Sequence, residues 1–213
     1  MKSVAVLGLG RFGRSVADAL MDGGAEVMAV DSDAELVEEY SDKVTYAMVA
    51  DLRDADDIKS LGISNMDVVV VSMAESLEAS IMSIMVAKEL GVPKVIAKAA
   101  DRQTAEIFRK VGADDIIFPE EETGKRTAYK IISNSFLEFF DISDTICIIE
   151  MLPKDSWVGK NLKELDLRRQ YGINVVAIKE KDEVKPVSDP EIPLKKDNPL
   201  LVLAYKKDVK KFQ

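Results

Sequence analysis

Residues 4–13 have the sequence VAVLGLGRFG, in which four apolar residues lead directly into a Gly-x-Gly-x-x-Gly motif. A strand before this motif and a helix after it form the context in which it binds dinucleotides. Gly8 permits the tight turn, Gly10 lets the backbone approach a phosphate, and Gly13 allows the helix to pack closely on the strand. Because the amides at such a helix start are free, they attract a diphosphate. The segment therefore predicts a phosphate-binding loop.

Five further apolar segments follow, and helical patterns separate them. The predicted strands cover residues 4–7, 27–31, 44–49, 68–72, 95–97 and 115–118. Continuously apolar strands that alternate with helices are typical of a parallel sheet covered on both faces. With right-handed crossovers, this pattern predicts an α/β fold with a Rossmann-like, doubly wound parallel sheet.

Polar residues stand where three of these strands end. Asp31 ends the second strand, 18 positions after Gly13, close to the spacing of an acid that binds ribose hydroxyls. Such a carboxylate repels a 2′-phosphate and so favours NAD, ADP or ATP over NADP. Asp51 and Ser72 end the third and fourth strands, where they could accept from an adenine amino group and line the diphosphate. The alternative for all three is ordinary strand-end capping or solvation.

Arg11 lies inside the glycine motif and distinguishes it from a plain dehydrogenase loop. A guanidinium there can bind a terminal phosphate through two hydrogen bonds, and a nicotinamide dinucleotide has no third phosphate. An exposed loop arginine without a ligand is the alternative.

The pattern changes after Glu120. A single long helix is predicted over Thr123–Phe140, with Phe136, Phe139 and Phe140 towards one side. These aromatic side chains could pack within the chain or against a partner subunit. Beyond it, the predicted elements are strands at 145–151, 173–178 and 200–205, a helix at 161–171, a charged segment with prolines at 179–199 and a helical tail at 206–213.

Charge supports a boundary near residue 140. Residues 1–140 carry 25 acidic and 15 basic residues, whereas residues 141–213 carry 13 acidic and 14 basic residues. The predicted domains are a nucleotide-binding domain at 1–122, a linking helix at 123–142 and a small α+β domain at 143–213. A domain this small is close to the limit of independent stability, so we expect it to dimerise.

The composition excludes several classes of protein. The 213 residues include no histidine and one cysteine, Cys147, so no Ser-His-Asp triad, Cys-His dyad or Cys/His zinc site can form. The net charge of −9 argues against non-specific binding to nucleic acid or to an anionic membrane. No apolar run approaches the ~20 residues that span a bilayer. We therefore expect a cytoplasmic protein that reaches a membrane only through a partner.

The sequence resembles the RCK (TrkA-N plus TrkA-C) family. The TrkA-N resemblance rests on residues 4–13, on the pair Pro119-Glu120 and on the strand-end residues Asp31, Asp51 and Ser72.

The TrkA-C resemblance rests on Gly159–Leu165, on Leu167-Arg168 and on the run Gly172–Ile178. Within the family, the sequence is most similar to the cytosolic regulatory subunits of Ktr-type potassium uptake systems.

The resemblance implies a set of partners and ligands. Such subunits form homodimers that assemble into an octameric ring beneath a membrane potassium-translocating subunit. Exchange of ATP, ADP or NAD(H) at the glycine motif changes the ring. Phe12, Lys98 and Glu120 would complete the nucleotide site, in which Arg11 would sense the γ-phosphate. Glu120 would help to hold a divalent cation, although it also fits simple negative charge at a helix start.

The resemblance also implies a second ligand in the C-terminal domain. Some members bind cyclic di-AMP there, and the matching positions are Leu162, Arg168, Asn174, Val175 and Pro190. Arg168 would pair with a phosphate and Asn174 would contact an adenine edge. A surface arginine and a strand-start asparagine without a ligand are the alternative.

Three functions follow from these observations. The first is a regulatory subunit that is not an enzyme. The second is an NAD-dependent oxidoreductase with a small accessory domain, in which Lys98 or Lys125 would carry the proton that hydride transfer usually requires. The third is a free-standing nucleotide sensor. Arg11 and the C-terminal resemblance favour the first.

Overall fold

The computed structural model describes residues 1–73, 75–133, 135–181, 183–187 and 189–212. The chain divides into two compact units, Met1–Glu120 and Glu121–Gln213. Each unit has its own sheet and its own hydrophobic core.

The first unit is built on six parallel strands. These strands are β1 (Ser3–Leu7), β2 (Glu26–Asp31), β3 (Tyr46–Val49), β4 (Val68–Val71), β5 (Lys94–Lys98) and β6 (Asp115–Ile117). Five helices connect them: α1 (Arg11–Asp22), α2 (Ala34–Tyr40), α3 (Ala55–Ser60), α4 (Leu77–Glu89) and α5 (Arg102–Lys110). The strand order β3-β2-β1-β4-β5-β6 confirms the predicted Rossmann-like fold.

Alternating residues of β1 supply both faces of this sheet. Ala5 and Leu7 pack in one buried cluster, and Val4 and Val6 pack in another. A central strand buried on both faces explains why this segment is continuously apolar.

The second unit holds five antiparallel strands. Helix α6 (Pro119–Ile132) begins at the unit boundary, and the strands are β7 (Phe136–Asp141), β8 (Ile146–Met151), β9 (Ile173–Glu180), β10 (Glu183–Pro186) and β11 (Leu200–Tyr205), in the order β10-β9-β11-β8-β7. Two short helices, α7 (Leu162–Leu165) and α8 (Leu167–Tyr171), and a 3-10 helix at Lys206–Lys211 complete it.

The prediction of one helix through Phe140 was wrong. Helix α6 ends at Ile132, and the phenylalanines lie on β7, which pairs with β8. The register shifts between Phe136 and Glu138, so Phe136 and Phe139 reach the same core although they stand three residues apart. A bulge adds one residue to a strand, so two residues on the same face of the sheet can stand three positions apart, which is the spacing typical of a helix.

Two smaller predictions also need correction. The helix predicted over 161–171 is broken at Asp166, which adopts a left-handed φ of 39° between α7 and α8. The charged segment 179–199 contains the strand β10, which the prediction missed. Its residues are exposed and end at Pro186, as expected of an edge strand.

Replacement of Phe212 by Ala should destabilise the second unit by about 3–5 kcal/mol. Phe212 is fully buried, with its ring centroid 6.0 Å from that of Phe136. Trp157 is the one tryptophan of the chain and is buried in the same core, so its fluorescence during urea unfolding reports this unit. The half-exposed Phe140 is the control, and an equal effect of Phe140→Ala would contradict the assignment.

Candidate functional site

The glycine loop follows β1 at the carboxyl edge of the parallel sheet. Strands β2 and β4 flank β1, and the direction of strand addition reverses between β1 and β4. Ligands of open α/β sheets bind at this kind of switch point. Gly8 turns the chain there with a φ of 98°, a conformation that side chains with a β-carbon rarely adopt.

The three glycines of the motif have different surroundings. A β-carbon on Gly13 would lie 1.9 Å from the carbonyl oxygen of Gly8, so helix and loop can meet only if residue 13 has no side chain. A β-carbon on Gly10 would have no heavy atom within 4 Å among the described residues. Packing within the chain therefore requires Gly13, whereas the bare backbone of Gly10 faces open space.

Among the described residues, the start of α1 has no side-chain cap. Gly10 is the N-cap residue and provides no side-chain cap, and the first turn contains no acidic residue. By contrast, helices α2, α3, α4 and α5 are capped by the side chains of Asp33, Asp54, Ser76 and Asp101. The amides of the first turn of α1 are thus available to an anion.

Asp31 contacts the glycine loop from β2. Its Oδ2 accepts from the Leu9 amide at 2.6 Å, and its Oδ1 accepts from the Asp33 amide at 3.0 Å. A carboxylate has about four acceptor sites, so further sites stay available for ribose hydroxyls.

Ser72 lies beneath the loop. Its side chain is buried, and its hydroxyl donates to the carbonyl oxygen of Gly8 at 2.6 Å, with the carbonyl oxygen of Leu7 at 3.1 Å. The observed contacts support the loop, and a contact with a diphosphate stays a prediction.

Asp51 is held by a residue that the sequence analysis missed. The guanidinium of Arg53 donates from Nε to Oδ1 at 2.9 Å and from Nη2 to Oδ2 at 2.7 Å. These hydrogen bonds lower the pKa of Asp51 to about 2. The signal in the sequence was an arginine two positions after a strand-end acid.

Lys98 ends β5 and links two other predicted residues. Its Nζ lies 2.6 Å from Oε1 of Glu120 and 5.8 Å from the ring centroid of Phe12. The hydrogen bond from Lys98 lowers the pKa of Glu120. Glu120 is a single carboxylate, and the described residues contain no group of three or more His, Cys, Asp or Glu side chains suited to a metal ion.

Arg11 is exposed on the first turn of α1. Within the described part of the chain, its side chain has no hydrogen-bond or ion-pair partner. It borders an open groove of about 540 Å³ that also includes Arg14, Asp18, Tyr40 and Lys43. Tyr40 donates to Asp18 at 3.0 Å, and burial, with this carboxylate, raises the pKa of Tyr40.

The five residues predicted to bind a second ligand all lie in the second unit. The amide of Leu162 donates to the carbonyl of Pro190 at 3.0 Å. Arg168 is exposed on α8, and Asn174 and Val175 lie at the start of β9. All five are among the described residues, and none lines the nearby cavity of about 130 Å³ between Ile178 and Leu194.

No helix within the described ranges is both long and apolar enough to cross a membrane.

Two known domain families match this chain. The TrkA-N domain matches residues 4–119 and the TrkA-C domain matches residues 148–213. The chain therefore belongs to the TrkA-N/TrkA-C family, to which Ktr potassium uptake proteins belong.

Two relatives match along the whole chain. The protein is 37% identical over 214 residues to Ktr system potassium uptake protein C of Bacillus subtilis (strain 168), covering 100% of this chain and 96% of that protein. It is 34% identical over 212 residues to Ktr system potassium uptake protein A of the same organism, with the same coverage of both.

A solved structure supports the fold. The GsuK channel bound to NAD matches with a TM-score of 0.67 and 16% sequence identity. The match covers 98% of this chain and 38% of that chain.

The surroundings of Gly13 and Gly10 lead to a prediction about stability. Gly13→Ala should cost about 1–3 kcal/mol, because a carbonyl oxygen occupies the place of the new methyl group. Gly10→Ala should cost about 1 kcal/mol or less, since it only alters an N-cap. Urea unfolding followed by circular dichroism measures both, and equal losses would contradict the packing argument.

Proposed function

We propose that this protein is a regulatory subunit of a potassium uptake system and that an adenine nucleotide at the glycine loop controls it. The observation that carries the proposal is the match of the whole chain, in the order TrkA-N then TrkA-C, to Ktr potassium uptake proteins. A membrane potassium-translocating subunit is the partner on which it acts.

The loop chemistry supports ATP, ADP or NAD(H) as the ligand. The first amides of α1 suit a diphosphate, and the remaining acceptor sites of Asp31 suit ribose hydroxyls. A 2′-phosphate would face the same carboxylate, which disfavours NADP. Asp51, held by Arg53, is the proposed acceptor for the adenine amino group.

Arg11 is the proposed sensor of a terminal phosphate. Its exposed guanidinium, without a partner in the described residues, can turn towards a third phosphate that ADP lacks. Lys98 and Glu120 lie on the same edge of the sheet, near Phe12. Glu120 would contribute one ligand to a divalent cation whose other ligands come from the phosphates and water.

The proposed role is regulatory and not catalytic. Hydride transfer usually requires a group that moves a proton, and histidine, the commonest such group, is absent from the chain. Both candidates for that task in an oxidoreductase form ion pairs: Lys98 is paired with Glu120, and Lys125 is paired with Glu121. Turnover of a nicotinamide cofactor with a small substrate would contradict the proposal.

Assembly into homodimers, and from these into an octameric ring at the cytoplasmic face of the membrane, completes the proposal. Ile131 and Ile132 near the end of α6 are 76% and 65% exposed, and exposed apolar side chains in adjacent positions favour a protein interface.

Cyclic di-AMP is the proposed second ligand. The contact between Leu162 and Pro190, and the exposure of Arg168 and Asn174, support a site in the second unit. Arg168 supplies the positive charge that a phosphate needs.

Arg11→Ala should lower the affinity for ATP about tenfold and leave that for ADP nearly unchanged, because only ATP has the terminal phosphate. Isothermal calorimetry with ATP, ADP and NADH measures these affinities. Arg109→Ala, which removes the same charge from the distant helix α5, is the control. Equal loss of ATP and ADP binding would refute the sensor role.

Arg168→Ala should abolish binding of cyclic di-AMP at micromolar concentration, whereas Arg169→Ala, one position along α8, should not. Calorimetry on the full chain tests the pair. If the unaltered protein does not bind at these concentrations, the second site is ruled out, and the proposal for the glycine loop is unaffected.

A further inference from the structure

One peptide group of the glycine loop is held from both sides by side chains. The hydroxyl of Ser72 donates to the carbonyl oxygen of Gly8 at 2.6 Å, and the next amide, that of Leu9, donates to Asp31 at 2.6 Å. This carbonyl and this amide belong to the same peptide, Gly8–Leu9. We propose that Ser72 and Asp31 form a peptide clamp, which fixes the orientation of the loop for phosphate binding.

The clamp begins where the backbone ladder of the sheet ends. Gly8 donates its amide to Val30 of β2 at 2.7 Å, and the Ser72 amide donates to Leu7 of β1 at 2.9 Å. Beyond these bonds the chain leaves the sheet, so backbone partners from β2 and β4 no longer reach it. Side chains from the ends of the same two strands hold the next peptide.

The conformation of Gly8 explains why such a clamp is needed. With a φ of 98° and no side chain, Gly8 lies in a region that glycine enters and leaves readily. If the loop became ordered only when it bound phosphate, the loss of conformational entropy would weaken binding. Two hydrogen bonds on the next peptide remove this freedom before a ligand arrives.

The two members of the clamp have separable roles. Asp31 both holds the loop and is the proposed ribose acceptor, whereas Ser72 is only 7% exposed and directs its hydroxyl to backbone carbonyls. Ser72 is therefore a positioning residue that acts through the Gly8–Leu9 peptide. Its effect on ligand affinity rests on the proposed function, but its effect on the loop does not.

The exchange of the Leu9 amide proton with deuterium, followed by NMR on the full chain, tests the clamp without a ligand. Ser72→Ala should speed this exchange about tenfold or more. Ser80→Ala is the matched control, because Ser80 is also buried and its hydroxyl lies 2.8 Å from two backbone carbonyl oxygens, those of Met73 and Ser76. Equal Leu9 exchange in the two variants would overturn the clamp.

A second pair of variants guards against a general loss of structure. Asp31→Leu removes the acceptor for the Leu9 amide and should speed its exchange, and Asp31→Asn, which keeps an oxygen acceptor, should restore much of the protection. No difference between these two variants would also overturn the clamp.

Calorimetry with ADP tests the consequence for binding. Ser72→Ala should weaken ADP binding about tenfold, and Ser80→Ala should leave it unchanged. If the unaltered protein does not bind ADP, the proposed function fails, and Leu9 exchange still decides the clamp. If ADP binds equally well to both variants, the clamp does not position the loop for phosphate.

Discussion

The close approach of α1 to the end of β1 is the constraint on which the first unit depends. At Gly13 there is no room for a β-carbon, because the Gly8 carbonyl lies 1.9 Å from where that atom would be. This close contact places the start of the helix at the sheet edge, beside the glycine loop. The sheet order then brings the ends of β2 and β4 to the two sides of the same loop.

The residues around this loop fall into two groups. Asp31 and Ser72 are engaged with the loop backbone, and Asp51 is engaged with Arg53. Arg11, in contrast, is exposed on the first turn of α1. The glycine loop is thus held in place, whereas the guanidinium of Arg11 is exposed. This combination fits a regulatory site, in which the loop binds a diphosphate in every state and the arginine responds to a terminal phosphate.

The sequence predicted the first unit far better than the second. In the first unit, strands buried on both faces and the glycine motif produce strong local signals, so the doubly wound parallel sheet and the position of the loop followed from them. In the second unit, the bulge of β7 placed Phe136 and Phe139 three residues apart on one face, which imitates a helix. The strand β10 was missed because its four exposed residues, Glu183–Pro186, show no apolar period.

For the candidate site, the sequence alone was enough to name the glycine loop, Arg11 and the strand-end residues Asp31, Asp51 and Ser72, because each follows from chemistry tied to a local pattern. The partners of Asp31, Ser72 and Lys98 required the folded chain. Each of these contacts joins residues that are 22 or more positions apart in the sequence. They are the contacts of Ser72 with Gly8, of Asp31 with Leu9 and of Lys98 with Glu120. Only the parallel sheet, by aligning the ends of distant strands, brings such residues together.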